Sequence, residues 1–417
     1  LKHTLAHHVD RARHPSRLSA RLMSEQMEGC PGAAIHVHVA VPGAGVKAEL
    51  PLRAEASVAE AKAAIREALG VPIFQQRLLL GPELLDGGSS LAEAAAASGH
   101  ADGEALLLTL VRVVRELALV GVDDCHAWLW DLETGEATPA LMGHVNSPVS
   151  LAVDWLAERA LTGSTDSTLR LWDLETGETL KEFVGHRGPV RCVALDCASR
   201  RAISGGNDKV LRVWDLDSGE VVNLLEGHGR VVECLSAHWP SQRALSGSGD
   251  KTLRLWDLES GEAVRVLEGH TAAVRCLVVD WARQQALSGG RDASLCLWDL
   301  ESGEARRCLR GHAGTVECVL VDWSTNLAIS GGSDGSLRQW CLERGEELKR
   351  VSAHAGAVRC VDADWATGRL LSGGHDSVLR LWDLASFEET RQYRAHPGPV
   401  PLYCLATTWA LAPTDAR

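Results

Sequence analysis

The chain has 417 residues and a formal net charge of −13, from 55 Asp and Glu against 42 Lys and Arg. That length suits two or three domains, and the acidic balance argues against general nucleic-acid binding, because phosphates repel it. The apolar runs fall far short of the ~18 residues that a membrane helix needs, and no secretory signal is visible. Leu1 stands where Met would begin a chain, so a targeting signal could lie outside the sequence. Of the 12 cysteines, Cys192, Cys234, Cys276, Cys318 and Cys360 recur at one spacing and read as small buried core residues. There is no CxxC pair, so neither a zinc site nor a redox dithiol is expected, and the compartment reads as reducing and intracellular.

Residues 1–33 read as a disordered segment, rich in Arg, His and Ser and closed by Cys30-Pro31-Gly32. His3, His7, His8 and His14 read as part of a solvated tail, not as metal ligands. Residues 34–113 read as a compact ββαββ unit with one helix over a small sheet. Ile35 to Val39 alternates as a half-buried strand, and Val46 to Leu52 returns as a second. Ser57-Val58-Ala59-Glu60 is a capping box that starts a helix with Val58, Ile65 and Leu69 on one face, ended by Gly70. Apolar strands follow at Arg77–Leu80 and Ala105–Val113.

The run from Val58 to Leu91 resembles ubiquitin, on Lys62, Ile65, Gly70-Val71-Pro72, Gln75-Gln76-Arg77-Leu78, Leu85, Gly88, Ser90 and Leu91. No Gly-Gly terminus ends the unit, so the resemblance implies a built-in α+β ubiquitin-like (β-grasp) domain and not a conjugated modifier. Glu83 stands where ubiquitin has its central chain-linking lysine. Leu79 stands in place of the main isoleucine of the recognition patch, and the patch's valine falls near Thr109. The resemblance thus implies a partner-binding surface at Leu79, Arg77 and Thr109.

From residue 114 to 406 a unit of 42 residues repeats. It carries Trp130, Trp172, Trp214, Trp256, Trp298, Trp340 and Trp382, with Asp after Trp in six cases and Cys341 in the other. One unit reads Gly185-His186, Val190 to Val193, Ala202 to Gly205, Asp208, then Leu211 to Asp215. These pairs resemble the WD repeat, which implies a β-propeller of four-stranded blades, each burying its faces against its neighbours. The fold class expected is mainly β: a seven-bladed WD-repeat β-propeller preceded by the ubiquitin-like domain, with a C-terminal tail at 407–417. Three strands near 116–121, 126–131 and 137–142 should be completed by Val400–Leu405, closing the seventh blade with both ends of the domain. Ala410 to Asp415 weakly echoes a further strand.

In that family a His, a hydroxyl, an Asp and a Trp form a hydrogen-bonded chain. Six complete sets are present: His144-Thr162-Asp166-Trp172, His186-Ser204-Asp208-Trp214, His228-Ser246-Asp250-Trp256, His270-Ser288-Asp292-Trp298, His312-Ser330-Asp334-Trp340 and His354-Ser372-Asp376-Trp382. A seventh would join His396, Asp124 and Trp130, with Val120 replacing the hydroxyl. Ser, His and Asp also make hydrolytic triads, but six equivalent copies inside sheet packing fit a structural role.

Positions that vary between repeats point to a binding face. Five residues after His come Val149, Arg191, Glu233, Arg275, Glu317, Arg359 and Pro401; before the turn Asp come Asp123, Thr165, Asn207, Gly249, Arg291, Ser333 and His375. Both sets should rim the channel mouth. Two readings stand: Arg191, Arg275, Arg359 and Arg291 grip an acidic or phosphorylated peptide, or the Arg–Glu alternation pairs neighbouring blades. The Trp-Asp-x-Arg pattern that recruits cullin–RING ligases is absent. We expect a non-enzymatic scaffold without cofactor or metal, a monomer within a larger complex, cytoplasmic or nuclear. Its partners are expected to be proteins or peptides, with no nucleic acid or membrane, and the ubiquitin-like domain would link them to the ubiquitin–proteasome system. The alternative is a WD-repeat assembly scaffold with no ubiquitin role.

Overall fold

The computed structural model describes residues 34–41, 45–53, 56–69, 71, 76–80, 83–85, 90–97, 106–112, 116–394 and 400–411. The expected tail at 1–33, Gly70 and His396 lie outside these residues. The chain divides into two units, Leu1–Val114 and Arg115–Arg417.

The N-terminal unit contains β1 (Ala34–Val41), β2 (Gly45–Arg53), α1 (Val58–Leu69), β3 (Gln76–Leu80), β4 (Glu83–Leu84), α2 (Leu91–Ala97) and β5 (Leu106–Arg112). The five strands form one sheet in the order β2-β1-β5-β3-β4, with β1 parallel to β5. At the start of α1 the Glu60 amide donates to Ser57 Oγ at 3.2 Å, and the Ser57 amide donates to Glu60 Oε2 at 2.7 Å. Val58, Ala61 and Ile65 then bury one helical face in a core shared with Val37, Val39, Leu78 and Leu108. The ββαββ expectation missed β4 and α2. The same capping box starts α2, where Ser90 and Glu93 exchange bonds of 3.2 and 3.1 Å. The helix is almost all alanine and anchored by the buried Leu91, so it lacks the large apolar period that marks a helix in sequence.

Among the described residues the C-terminal unit contains seven four-stranded antiparallel sheets. Six are contiguous in sequence, and we number them sheets 1 to 6: residues 148–184, 190–225, 232–268, 274–310, 316–352 and 358–394. The other combines Leu402–Thr407 with Leu117–Val122, His126–Asp131 and Ala137–Met142, and we call it the closing sheet. The first strands of successive sheets pack side by side in a closed series, with Leu402–Thr407 touching both Val358–Asp364 and Pro148–Asp154. The architecture is propeller-like. Apolar clusters lie between neighbouring sheets. Trp214, for example, packs with Leu161, Leu169 and Phe183 of sheet 1, and Trp256 with Ile203, Leu211 and Val213 of sheet 2. Removing one such indole costs roughly 3–5 kcal/mol.

The recurrent cysteines sit where first strands press on second strands. Each thiol faces a glycine, and a Cβ built on Gly247 would lie 2.7 Å from Cys234 Sγ and 2.7 Å from Val274 Cγ1. Cys192, Cys276 and Cys318 also reach the carbonyls of Val232, Val316 and Val358 in the next sheet. Cys404 holds the same place in the closing sheet, opposite Gly121.

The last strand runs over Leu402–Thr407, two residues later than expected, and Thr408–Leu411 is a short 3-10 helix; the rest of the expected tail, and most of the echo at Ala410 to Asp415, lie outside the described residues. Trp409 explains this, because its buried ring packs in the cluster that holds Trp130, Tyr393 and Leu402.

Candidate functional site

The six polar sets assemble as hydrogen-bonded chains. In each, His Nε2 lies 2.7–2.8 Å from the Ser or Thr oxygen. The Trp indole donates to that oxygen at 2.8–2.9 Å. His Nδ1 lies 2.7–3.1 Å from the Asp carboxylate. The donor inventory assigns the tautomer: the ionised Asp can only accept, so the neutral imidazole carries its proton on Nδ1 facing it, and Nε2 accepts from the hydroxyl, which itself accepts from the Trp indole. Burial lowers the pKa of His144, His228, His312 and His354, against the raising effect of their Asp partners. Burial pushes the Asp166, Asp250 and Asp292 carboxyls up, but hydrogen bonds from neighbouring hydroxyls, His and backbone amides outweigh it and hold each at about 2. Ser204, Ser246, Ser288, Ser330 and Ser372 are 0% exposed, so no substrate can reach their hydroxyls. These chains hold the sheets. In the closing sheet Asp124 instead accepts from the Trp128 indole at 2.9 Å, and the buried Trp130 nitrogen has no partner among the described residues.

The mouth is built by a β-bulge. In every sheet the first strand carries one unpaired residue where its register shifts against the second strand: Val149, Arg191, Glu233, Arg275, Glu317, Arg359 and Tyr403. A bulge re-aims a side chain, and here it turns this position toward the mouth. The closing sheet presents Tyr403 and not Pro401, because Cys404, opposite Gly121, comes 44 residues after Cys360 and not 42. Val149, Arg191, Glu233, Arg275, Glu317, Arg359 and Tyr403, with Asn207, Val231 and Arg291, line a cavity of about 480 Å³.

Most of its charges are already paired. Arg275 donates to Glu233 at 2.6 Å and to Glu317 at 3.1 Å, and Arg359 donates to Glu317 at 2.9 Å. Arg359 Nε donates to His375 at 2.7 Å; burial first, then Arg359, lowers the His375 pKa. The alternation of Arg and Glu therefore links neighbouring sheets. Two arginines stand apart. Arg291 is 56% exposed and reaches Glu233 at 3.8 Å only. Arg191 donates to the Asn207 amide oxygen at 3.1 Å, with no carboxylate within salt-bridge distance among the described residues. The lining holds four arginines against two glutamates, an excess of positive charge in an acidic chain.

In the N-terminal unit Leu79 lies directly opposite Thr109, and Arg77 lies two residues before Leu79 on the same face of β3. Leu78 and Leu80 point the other way into the core. Leu107, 49% exposed, extends the outer face.

Sequence reasoning missed a second polar series with the 42-residue period. Lys181, Asn223, Arg265, Arg307, Lys349 and Arg391, on the outer strands, each donate to turn carbonyls of the next sheet, at Asp217, Leu258, Ser302, Glu343, Ala385 and Leu132. Its signal was the spacing itself, hidden because a polar residue on an exposed strand looks like surface. The arginines two residues before Trp also serve structure: Arg212 donates to Asp208 at 2.6 Å and Arg380 to Asp376 at 2.7 Å. Among the described residues, no group of three or more His, Cys, Asp or Glu is placed to hold a metal ion, and no helix is long and apolar enough to cross a membrane.

The chain matches the family described as WD domain, G-beta repeat, over residues 135–173, 177–215, 219–257, 261–299, 303–341 and 345–383. These matches cover more than half of the chain, which therefore belongs to the WD-repeat family. Each match begins before the outer strand of one sheet and ends with the third strand of the next, so the sequence repeat straddles the seam between sheets. No curated protein matches the chain.

Proposed function

We propose that the chain is a non-enzymatic interaction scaffold: a seven-bladed propeller whose mouth holds an acidic or phosphorylated protein segment, joined to a ubiquitin-like domain that connects the client to the ubiquitin system in the cytoplasm or nucleus. The observation that carries the mouth reading is the cavity of about 480 Å³ with surplus arginine, in which Arg191 and Arg291 stand outside the central Glu–Arg chain. Guanidinium groups with unused donors suit a carboxylate or phosphate. Arg275 and Arg359, held by Glu233 and Glu317, position the rim. The seven sheets in a closed series support the seven-bladed reading. The β2-β1-β5-β3-β4 sheet with α1 supports the ubiquitin-like one, and the face bearing Leu79, Arg77 and Thr109 is its docking surface.

The test is a capture experiment from cell extract with the whole chain, Leu79→Ala, and an Arg191→Glu/Arg291→Glu double variant that leaves the Glu–Arg chain intact. The double variant should lose clients that phosphatase treatment or added acidic peptide also displaces. Leu79→Ala should lose ubiquitin-system proteins alone. Capture that neither variant changes would sink both surfaces.

A further inference from the structure

Sheet 4 breaks the arginine series before Trp. Where the other contiguous sheets carry Arg170, Arg212, Arg254, Arg338 and Arg380, it carries Cys296. The residue directly across the outer strand is also a cysteine, Cys308. In the other contiguous sheets that partner position holds Glu182, Leu224, Val266, Arg350 or Gln392. The two sulfurs lie 2.9 Å apart. Residues directly opposite on antiparallel strands have Cα atoms about 4.5 or 5.5 Å apart, and both spacings fall within the range a disulfide spans. Cys308 is exposed, and Cys296 is 1% exposed beside Ser294, whose hydroxyl bonds the Asp292 carboxylate.

We propose that Cys296 and Cys308 form a reversible thiol-modification site that hydrogen peroxide oxidises to a cross-strand disulfide. The Cys308 thiolate attacks one peroxide oxygen. An S–O bond forms, the O–O bond breaks, and the departing hydroxide takes a proton to become water. Cys296 then displaces hydroxide from the sulfenic sulfur, forming the S–S bond and releasing a second water. The two thiols lose two electrons and two protons, and the peroxide is reduced to two waters. Exposure makes Cys308 the sulfur that meets the oxidant. Burial, followed by the neighbouring Cys308, raises the Cys296 thiol well above the usual range, so its nearness to Cys308 drives the second step. A thiol reductant reverses the change by exchange. The bond joins the third and outer strands of sheet 4, and the outer strand holds sheet 5 through Arg307 and the Glu343 carbonyl at 2.7 Å.

The experiment treats the reduced full chain with hydrogen peroxide, caps the remaining thiols in denaturant and digests with trypsin. The expected product joins residues 292–306 to residues 308–310, two hydrogens lighter than the separate peptides, and reverts with dithiothreitol. The count of free thiols should fall by two in the parent and show no such paired loss in Cys308→Ser. In Cys296→Ala, Cys308 should instead proceed to sulfinic acid for want of a resolving thiol. Cys341, whose thiol is lowered by bonds from Arg344, is the competing reactive site. Linkage of Cys308 to Cys341 or to a second chain, or oxidation of Cys308 while Cys296 is still capped as a free thiol in the parent, would overturn the assignment.

Discussion

The six contiguous sheets and the closing sheet solve one problem in two ways. Each contiguous sheet carries its own His–hydroxyl–Asp–Trp chain. The closing sheet has Val120 at the hydroxyl position and a buried Trp130 nitrogen without a partner among the described residues. Its polar bonds go sideways to sheet 6. Arg391 donates to the carbonyls of Leu132, Glu133 and Thr134, and the Tyr393 hydroxyl donates to Leu132 at 2.7 Å. Arg369 pairs with Glu116 at 2.6 Å, and Asp362 accepts from the Thr407 amide and hydroxyl at 2.9 and 2.8 Å. The contiguous sheets thus carry an internal polar chain in addition to their lateral bonds, whereas the closing sheet relies on its lateral bonds to sheet 6 without a complete internal chain.

Acid should expose this difference most strongly, because it acts on six sheets at once. The tetrad histidines with lowered pKa are neutral in the fold. Below the ordinary value of 6.5 the unfolded chain takes up protons that the fold refuses. Their contribution is complete above 6.5 and is lost as pH falls through the lowered folded values. Asp166, Asp250 and Asp292, at about 2 in the fold against 3.8 ordinarily, stabilise fully above 3.8 and lose that contribution toward 2. Urea midpoints measured from pH 7.5 to 3 should fall in two stages, one beginning near 6.5 and the other below 4. A flat profile down to pH 4.5 would remove the tetrads from the stability argument.

A single substitution tests the same chain locally. Ser246→Ala strands His228 Nε2 and the Trp256 indole in a dry interior. At ~1–3 kcal/mol for each buried unsatisfied group, we expect a loss of roughly 2–6 kcal/mol in denaturant unfolding. Val120→Ala at the equivalent place in the closing sheet removes only two methyl groups and should cost roughly 1–3 kcal/mol. Equal losses in the two variants would show that the hydroxyl is a spacer and not a junction.

Much of this architecture was legible because the period of 42 repeats both composition and position. It placed the tetrads, the first strands with their cysteines, and the rim residues from Val149 to Arg359. It failed where the period fails: the two extra residues before Cys404 bring Tyr403 and not Pro401 to the rim. It was also blind to partners fixed by sheet geometry. Nothing in the spacing of Cys296 and Cys308 marks them as neighbours, since only the hairpin register brings them together. The choice between a peptide grip and inter-sheet pairing for the rim arginines likewise turned on distances, with Arg275 and Arg359 engaged and Arg191 outside the chain.

The lateral bonds give a smaller effect. Arg391→Met keeps the aliphatic stem but removes three carbonyl contacts and the guanidinium over the Tyr393 ring at 5.0 Å. Discounted for exposure, about 1–2 kcal/mol should be lost. Hydrogen exchange should quicken first in Leu117–Val122 and its partner strands. Arg265→Met in sheet 3 removes one carbonyl bond of 2.8 Å and should cost about half as much. Comparable losses would mean that the closing sheet does not depend specially on sheet 6.

The smallest expected change is the most selective. Thr162 already serves as the hydroxyl of sheet 1, so Val120→Thr places a proven group at the one described sheet that lacks it. A buried hydroxyl normally costs ~1–3 kcal/mol when it finds no partner, which is the expectation for Val213→Thr in the core of sheet 2. At position 120 the hydroxyl can accept from the orphaned Trp130 indole, a bond contributing about 1 kcal/mol. The two terms offset, and stability should stay within ~0.5 kcal/mol of the parent, with slower exchange of the Trp130 indole proton as the direct sign of the new bond. If Val120→Thr destabilises as much as Val213→Thr and that proton exchanges as before, the missing hydroxyl is not what separates the closing sheet from the other six.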